Sequence, residues 1–476
     1  MKLSQNFTKT TRETLADETS KNAQLLIRAG YIHKAMPGVY AYLPLGLRMI
    51  NKIENIVRKH LNAIGGQEIL MNSLHPKEWW LKADRWDNVD ILFKLNSQTN
   101  TEYALACSHE EQVVPIASSF IQSYKDLPEY NPSRHSELVS ESPNFEAKFS
   151  NVQFPLATYQ IQTKFRDEIR AKSGLLRGRE FRMKDMYDFH CTKESADAYY
   201  ELVKTTYFEI YKEMGLRAYA VHASGGIFTS NDSHEFQVIS PAGEDEIFYD
   251  EGTGYAINSE IVDEMKAKGQ SIPEGLTKAI SAEVGNIFKL DDKYTKAFGT
   301  TYLAKDGKPQ TPLMNCHGIG TSRCMAIIAE IYSDEKGLKL PTQVAPFEIH
   351  LVTHINPKDE VEINNRILEI ANKIYEGEIR MVKTISGKAK LLDTTDINQV
   401  LEFAKEDSSF SINNLGSSNE ILWDDRTGKI SIGEKLKDAD LIGCPTQIII
   451  SKRSLENGGV EIINRADGNN SIAIIH

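Results

Sequence analysis

Three short segments place arginines where they could grip a polyanion. FRDE (165–168) closes a stretch of alternating polar and apolar residues, RGREFRMKD (177–185) follows a short loop rich in Arg and Gly, and GIGTSR (318–323) sets two glycines before an arginine. A guanidinium pairs with phosphate through two parallel N–H bonds, glycine lets backbone approach a ligand closely, and a helix N-terminus favours an anion. A period of two puts Arg177, Phe181 and Asp185 on one strand face, an aromatic platform flanked by charge. The chain has no GxxxxGK[ST] phosphate loop, and no GxGxxG follows a strand at the head of a βαβ unit. A nucleotide here would have to be held by arginines on a sheet. Taken singly, FRDE reads more readily as a surface ion-pair cluster and GIG as a turn. The signal is the three together, in this order.

These residues need rigid carriers, and the periodicities supply them. Tyr159, Ile161, Thr163 and Phe165 alternate with Gln160, Gln162, Lys164, Arg166 and Glu168, so 157–169 is expected to be a strand with one core face and one polar face. A second strand near Arg179–Tyr187 would complete an antiparallel hairpin. Helices are expected near Ser20–Ala29, over 194–214 and from about Thr321. Another carries Ile50, Ile53, Val57, Leu61 and Ile64 and is stopped by Gly65-Gly66, with a strand at Gln67–Met71 after it. Pro312–Gly318 reads as a strand. From about residue 346 strands and helices alternate: Phe347–Thr353, 358–375, Glu420–Trp423, 432–442, Gln447–Ser451 and Val460–Ile463, which reads as a separate small α/β domain. Two polar stretches break the rhythm: 129–154, expected to be a surface loop, and 377–419, with a helix expected at Asp396–Glu406.

With 476 residues the chain is long enough for two or three domains. It is 41% hydrophobic and 25% charged, has no apolar run long enough for a membrane span, and begins without the apolar core of a secretory signal, so the cytoplasm is expected. Five scattered cysteines without a CxxC pair argue against a zinc knuckle or a disulfide framework. A net charge of −11 excludes an indiscriminate nucleic-acid coat, and leaves any RNA contact to a local patch.

The three arginine segments resemble the class II aminoacyl-tRNA synthetase set: FRDE followed by RxxxF and Asp is similar to motif 2, and GIGTSR to motif 3. YQIQTKFRDEIR, RGREFRMKDMYDFH, SHEFQV, EVGNIFKL, CHGIGTSR and DADLIGCP narrow the resemblance to bacterial prolyl-tRNA synthetases, as do RAGYIHKAMPGVYAYLPLGLR and SHEE at 108–111. The match spans nearly the whole chain. It implies an α+β fold: an antiparallel-sheet catalytic domain over 1–345, then a mixed α/β anticodon-binding domain over 346–476, with 129–154 and 377–419 as insertions, assembled as a homodimer. It implies activation of proline with ATP to prolyl-adenylate, accompanied by Mg²⁺, and transfer to the 3′ end of proline-specific tRNA.

Residue roles follow from the same resemblance. Arg166 would bind the α-phosphate and stabilise charge as carboxylate attacks phosphorus, Glu168 would accept from the adenine amino group, and Arg177 would reach the γ-phosphate. Phe181 would stack on adenine, with Arg323 closing the far side; Arg166 and Arg323 are the catalytic pair. Glu235 and Gln237 are further ATP-side contacts, and no dedicated protein cage for the metal is expected. SHEE resembles the family's THEE, so Ser108 and Glu110 would receive the secondary ammonium of proline. Arg166 and Cys316 would complete that pocket, although Cys316 reads equally as a buried small hydrophobe. His109, His190 and His234 have no metal-ligand spacing and are expected to be packed and hydrogen-bonded.

The chain departs from the family at Asn72 for a motif 1 proline, at Asn315 and His317 for Gly and Tyr, at Asn286 for His and at Ala171 for proline. The rival readings are a synthetase for another amino acid, disfavoured by SHEE and YQIQTKFRDE, and a catalytically inert RNA-binding paralogue, disfavoured by intact Arg166, Glu168 and Arg323. Many bacterial relatives carry a large editing domain between motifs 2 and 3. Here that interval, from Glu260 to about Ala279, is too short to fold alone, so post-transfer editing is expected to be absent.

Overall fold

The structure, a computed structural model, describes residues 1–13, 18–132, 152–226, 228–229, 233–267, 269, 271–384, 389–393, 410–411, 420–428 and 430–473. They fall into two compact units, Lys34–Ala41 with Ile53–Ile331, and Met1–His33 with Tyr42–Lys52 and Tyr332–His476. This partition differs from the expected division at 345/346, because the N-terminal segment is tied into the second unit. There Tyr31 Oη donates to Ile442 O at 2.7 Å, Thr10 Oγ1 to Asp438 Oδ1 at 2.7 Å, and Arg48 Nε to Pro346 O at 2.8 Å.

The first unit is built on one nine-stranded sheet. Its strands are β1 (Gln67–Glu68), β2 (Leu156–Phe165), β3 (Glu180–His190), β4 (Ala218–Ala223), β5 (Ser233–Ile239), β6 (Asp245–Tyr249), β7 (Ala256–Asn258), β8 (Thr277–Asp291) and β9 (Leu313–Ile319). Their spatial order is β5-β4-β7-β6-β8-β9-β3-β2-β1, with β5 also pairing β8. The pairs are antiparallel except β4 with β7 and β1 with β2. The expected hairpin is β2–β3, in register with Gln160 opposite Asp185 and Lys164 opposite Phe181. One expectation changes: the polar face of β2 is covered as well, and Gln160 and Lys164 are as fully buried as Tyr159. The strand expected at Gln67–Met71 is only the two residues of β1.

Helices brace the sheet. The helix Lys193–Glu213 buries Tyr199, Tyr200, Val203, Tyr207, Ile210 and Tyr211, three and four apart on one face, and Thr192 caps it by accepting from the Ser195 N–H. Tyr207 and Tyr211 pack on Phe236 of β5 at ring separations of 4.9 and 5.6 Å. The 20-residue helix Pro44–Ala63 presents Glu54 to Arg182 of β3, which donates from Nε and Nη2 at 2.8 Å each. The motif 3 helix is Thr321–Ile331, buried along most of its length.

In the second unit, strands β10 (Ile349–Thr353), β11 (Ile421–Asp424), β12 (Thr446–Ile450), β13 (Val460–Asn464) and β14 (Asn470–Ala473) run in the order β11-β10-β12-β13-β14. The pairs β10–β11 and β10–β12 are parallel and the others antiparallel. Helices Val361–Glu376 and Ile432–Ile442 complete the expected mixed α/β arrangement. Within 377–419, Ile379–Thr384, Ala389–Asp393 and Phe410–Ser411 form a small three-stranded sheet. The expected helix Asp396–Glu406 lies outside the described residues. Most of 129–154 does too, but its ends are not loose. Tyr130 stacks on Phe154 at 6.1 Å and its N–H donates to Ser195 Oγ. Among the described residues no helix is long and apolar enough to cross a membrane.

Two neighbouring strands of the sheet approach at Gly285 of β8. A Cβ there would lie 2.2 Å from Tyr211 Oη and 2.7 Å from the Gly318 carbonyl oxygen. Backbone cannot yield as a flexible side chain can, so Gly285→Ala is expected to destabilise the protein by about 1–3 kcal/mol. Chemical denaturation checks this; an unchanged midpoint would contradict the packing described.

Candidate active site

A cavity of about 290 Å³ opens over β3, β8 and β9. Because side chains alternate across strands, Phe181, Met183 and Asp185 of β3 and Cys316 and Gly318 of β9 all face it. Of the residues singled out from sequence, Ser108, Arg166, Phe181, Glu235, Cys316 and Arg323 line this one cavity. Glu168 and Arg177 instead line an adjoining hollow of about 210 Å³, and Arg323 lies on the wall of both. Gln237 and Glu110 line neither. Gln237 is buried behind the wall, donating from Nε2 to Glu235 Oε2 and Asp245 Oδ2 at 2.9 Å each, and Glu110 sits one layer beneath Cys316.

The arginines differ in how they are held. Arg323 donates from Nη1 to Glu283 Oε2 at 2.7 Å and from Nε to the Leu176 carbonyl at 2.9 Å. Arg177 is bridged by Glu168 and Glu244, both at 2.9 Å. Burial alone would raise the Glu168 carboxyl; the hydrogen bonds from Arg177 and the Arg170 N–H outweigh it and hold the group below its usual range. Arg166 makes no ion pair among the described residues. Its guanidinium lies 5.1 Å from the Phe181 ring centroid, with Nε buried and without a hydrogen-bond partner. It is the cation with donors to spare.

At the other end of the cavity stand Ser108 and Cys316, with Phe228 and Phe288 packed together at 4.8 Å. Cys316 Sγ donates to Glu110 Oε1 at 3.1 Å. Beneath them Lys164 pairs with Asp185 at 2.6 Å, and both are almost completely buried. Tyr187 Oη donates to Asp185 and accepts from the His109 N–H at 3.0 Å. His109 Nδ1 meets Lys164 Nζ at 2.7 Å, and its Nε2 meets the Asn72 carbonyl at 2.9 Å. Burial, with Lys164 beside it, pushes His109 down to about 3, so it stays neutral. His190 and His234 are likewise packed: His190 bonds Asp188 and Ser195, and His234 bonds Tyr200.

Sequence reasoning gave no role to Glu283, although it opens the EVGNIFKL string, and it missed Phe228, Phe288 and Arg85. Glu283 could have been found as the one carboxylate in a string whose only other charged residue is Lys289. The others carry no local signal. The departures at Asn315 and His317 point away from the cavity. His317 Nε2 meets Asp188 Oδ2 at 2.5 Å and Asn315 Nδ2 donates to Asp188 Oδ1 at 2.8 Å, so Asp188 joins both to His190 in a buried network.

An antiparallel sheet carrying a motif 2 hairpin and a motif 3 strand–helix around one cavity defines a class II aminoacyl-tRNA synthetase core. Residues 144–332 match the model of the tRNA synthetase class II core domain (G, H, P, S and T), and 417–474 match the anticodon binding domain. The chain is 33% identical to the proline–tRNA ligase of Wolbachia sp. subsp. Brugia malayi, over 98% of this chain and 96% of that one. It is 32% identical to that of Anaplasma phagocytophilum over the same shares. The chain belongs to the proline–tRNA ligases, ATP-dependent enzymes that join proline to its tRNA. The fold is also that of a Giardia lamblia prolyl-tRNA synthetase in complex with prolyl-adenylate, at a TM-score of 0.66 and 19% identity, covering 94% of this chain and 73% of that one.

One titration tests the site's electrostatics. Burial and the adjacent Glu283 push the Glu235 carboxyl up to about 8, against hydrogen bonds from Gln237 and Asn258. The folded state therefore keeps a proton that the unfolded chain has lost. The stability that proton brings is complete below the unfolded value of about 4.5 and declines as pH rises toward the folded one. Glu235→Gln is expected to gain stability relative to the parent between about pH 5 and 8, read by denaturant unfolding. Parallel pH profiles would contradict this environment.

Proposed function

We propose that the cavity is where proline and ATP meet, with the nucleotide toward Arg323 and the amino acid toward Ser108 and Cys316. The observation that carries this reading is Arg166, unpaired and poised over Phe181 between those two ends. The carboxylate oxygen of proline attacks the α-phosphorus, the bond to the bridging oxygen breaks, and pyrophosphate leaves. A terminal ribose hydroxyl of the tRNA then attacks the prolyl carbonyl and AMP leaves. Arg166 stabilises charge on the α-phosphate, Phe181 and Arg323 sandwich adenine, Glu168 accepts from its amino group, and Arg177 reaches the γ-phosphate. Ser108 and Glu110 receive the secondary ammonium, Glu110 through its position beneath Cys316. No general base is required for the activation step, because the attacking carboxylate carries no proton and positioning with preorganised charge lowers the barrier.

Mg²⁺ suits the acidic side of the cavity. Glu235 and Glu283 lie close enough to disfavour each other's charge, and Gln237 Oε1 is buried without a hydrogen-bond partner. A hard cation prefers such oxygens. No three His, Cys, Asp or Glu residues converge into a cage among the described residues, so phosphates and water would complete the shell.

The remaining assignments are the catalytic role of 1–345, RNA binding by 346–476, a homodimer through the motif 1 edge beside β1, and the cytoplasm as location. Exposed Leu70 and Leu74 next to that edge support the dimer, and five free cysteines support a reducing compartment.

Purified protein is expected to catalyse ATP–pyrophosphate exchange that depends on proline over other amino acids. Arg166→Ala or Arg323→Ala should slow it by roughly 100-fold or more, as loss of a preorganised phosphate contact does. Normal exchange in either variant would remove that arginine from the mechanism. Post-transfer editing is expected to be absent. Among the described residues of the interval from Glu260 to β8, the one helix after Ile261 is the short Val262–Ala267. The alignment with the Geobacillus kaustophilus relative runs over 620 positions, against 481 for the Wolbachia sp. subsp. Brugia malayi one. Alanine differs from proline by so little apolar surface that binding discriminates by only about 1–3 kcal/mol. Rapid enzyme-dependent deacylation of alanyl-tRNA specific for proline would overturn this expectation.

A further inference from the structure

Arg85 belongs to no motif, yet its guanidinium is one layer beneath the amino-acid end of the cavity. It is 3% exposed, and Nη1 reaches two carboxylates that are wholly buried, Glu111 Oε1 at 2.6 Å and Glu110 Oε2 at 3.3 Å. Its Nε and Nη2 have no hydrogen-bond partner among the described residues, and the rings of Phe228, Trp80 and Tyr294 lie at 5.0, 5.4 and 5.8 Å from the group. An arginine placed only to neutralise a buried acid would present its planar fork to one carboxylate through two bonds. Here aromatic packing aims the group so that one nitrogen is shared, and the two oxygens of Glu110 are held from opposite sides, Oε2 by Arg85 and Oε1 by Cys316 Sγ at 3.1 Å.

We propose that Arg85 is a positioning residue for amino-acid recognition, fixing the Glu110 carboxylate in the one orientation that serves the secondary ammonium of proline. Glu111 shares the same nitrogen of Arg85 at 2.6 Å. The inference rests on the reading that Glu110 receives the ammonium. Phe228, which stands on the cavity wall and also covers Arg85, joins the two layers.

The test is steady-state pyrophosphate exchange with varied proline and varied ATP, on Arg85→Gln, Arg85→Lys, Glu110→Gln and the Arg85→Gln/Glu110→Gln pair. Arg85→Gln is expected to raise KM for proline roughly tenfold or more, the usual effect of losing a charge-assisted contact, with KM for ATP little changed. Arg85→Lys, which keeps the charge and loses the fork, should recover part of the loss. In the Glu110→Gln background Arg85→Gln should add almost nothing, since residues acting through one another are not additive. Effects that multiply in the pair, or that move the proline and ATP constants alike, would make Arg85 a general structural residue and overturn the proposal. So would failure of both Arg85 variants to fold. If Glu110→Gln alone leaves KM for proline unchanged, the reading of Glu110 fails instead, and the two failures are distinct.

Discussion

The arrangement of the site depends on a buried ion pair in the middle of the motif 2 hairpin, Lys164 with Asp185 at 2.6 Å. Taking two charges out of water is costly, and their attraction offsets that cost only when the remaining hydrogen-bonding capacity is met. Gln160 and Tyr187 donate to Asp185, and His109 stands against Lys164. Burial alone would raise the Asp185 carboxyl; Lys164 outweighs it and holds the group low. Removing one partner of such a pair typically costs about 3–5 kcal/mol, because the other charge is stranded. Here the consequence also reaches chemistry, since His109 separates Ser108 from Glu110 and its N–H and ring are both anchored to this network.

Seen from that pair, the cavity has a graded electrostatic design. Arg323 and Arg177 are matched by Glu283 and by Glu168 with Glu244, so an incoming triphosphate exchanges or shares those partners. Of the three arginines around the two hollows, Arg166 makes no ion pair among the described residues, and its guanidinium lies 5.1 Å from the Phe181 ring centroid. Preorganised donors need no rearrangement as charge develops, which is where such sites gain most of their effect.

Two of the chain's departures from its family, Asn315 and His317, are absorbed on the far side of the sheet, whereas Asn286 lines the cavity. Asn315 and His317 sit at alternate positions to Cys316 and Gly318, and so turn from the cavity toward Asp188 and the helix Lys193–Glu213. The Asn72 carbonyl accepts from both His75 and His109, so a backbone group holds the segment that precedes the short strand Leu74–Pro76.

Much of this was legible in the residues themselves. The alternation of 157–165, the glycines of GIGTSR and the three- and four-residue spacing of the helices located the hairpin, the motif 3 turn and their flanks, because local periodicity depends only on which side of an element is covered. Phe181 and Asp185 could be assigned to one face for the same reason, whereas Arg177, placed with them by a period of two, lies ahead of the strand and lines the adjoining hollow. Three things were decided by tertiary structure. Gln160 and Lys164 read as part of a polar face opposite the core face, and both are buried. Glu110 and Gln237 were placed among the contacts yet stand behind the wall, because sequence gives the side a residue faces and not its depth. Arg85 and Glu110 are 25 positions apart in chain, and Cys316 and Glu110 206. Their meeting is fixed by the packing of separate elements on one sheet, a long-range constraint that no local pattern of residue types encodes.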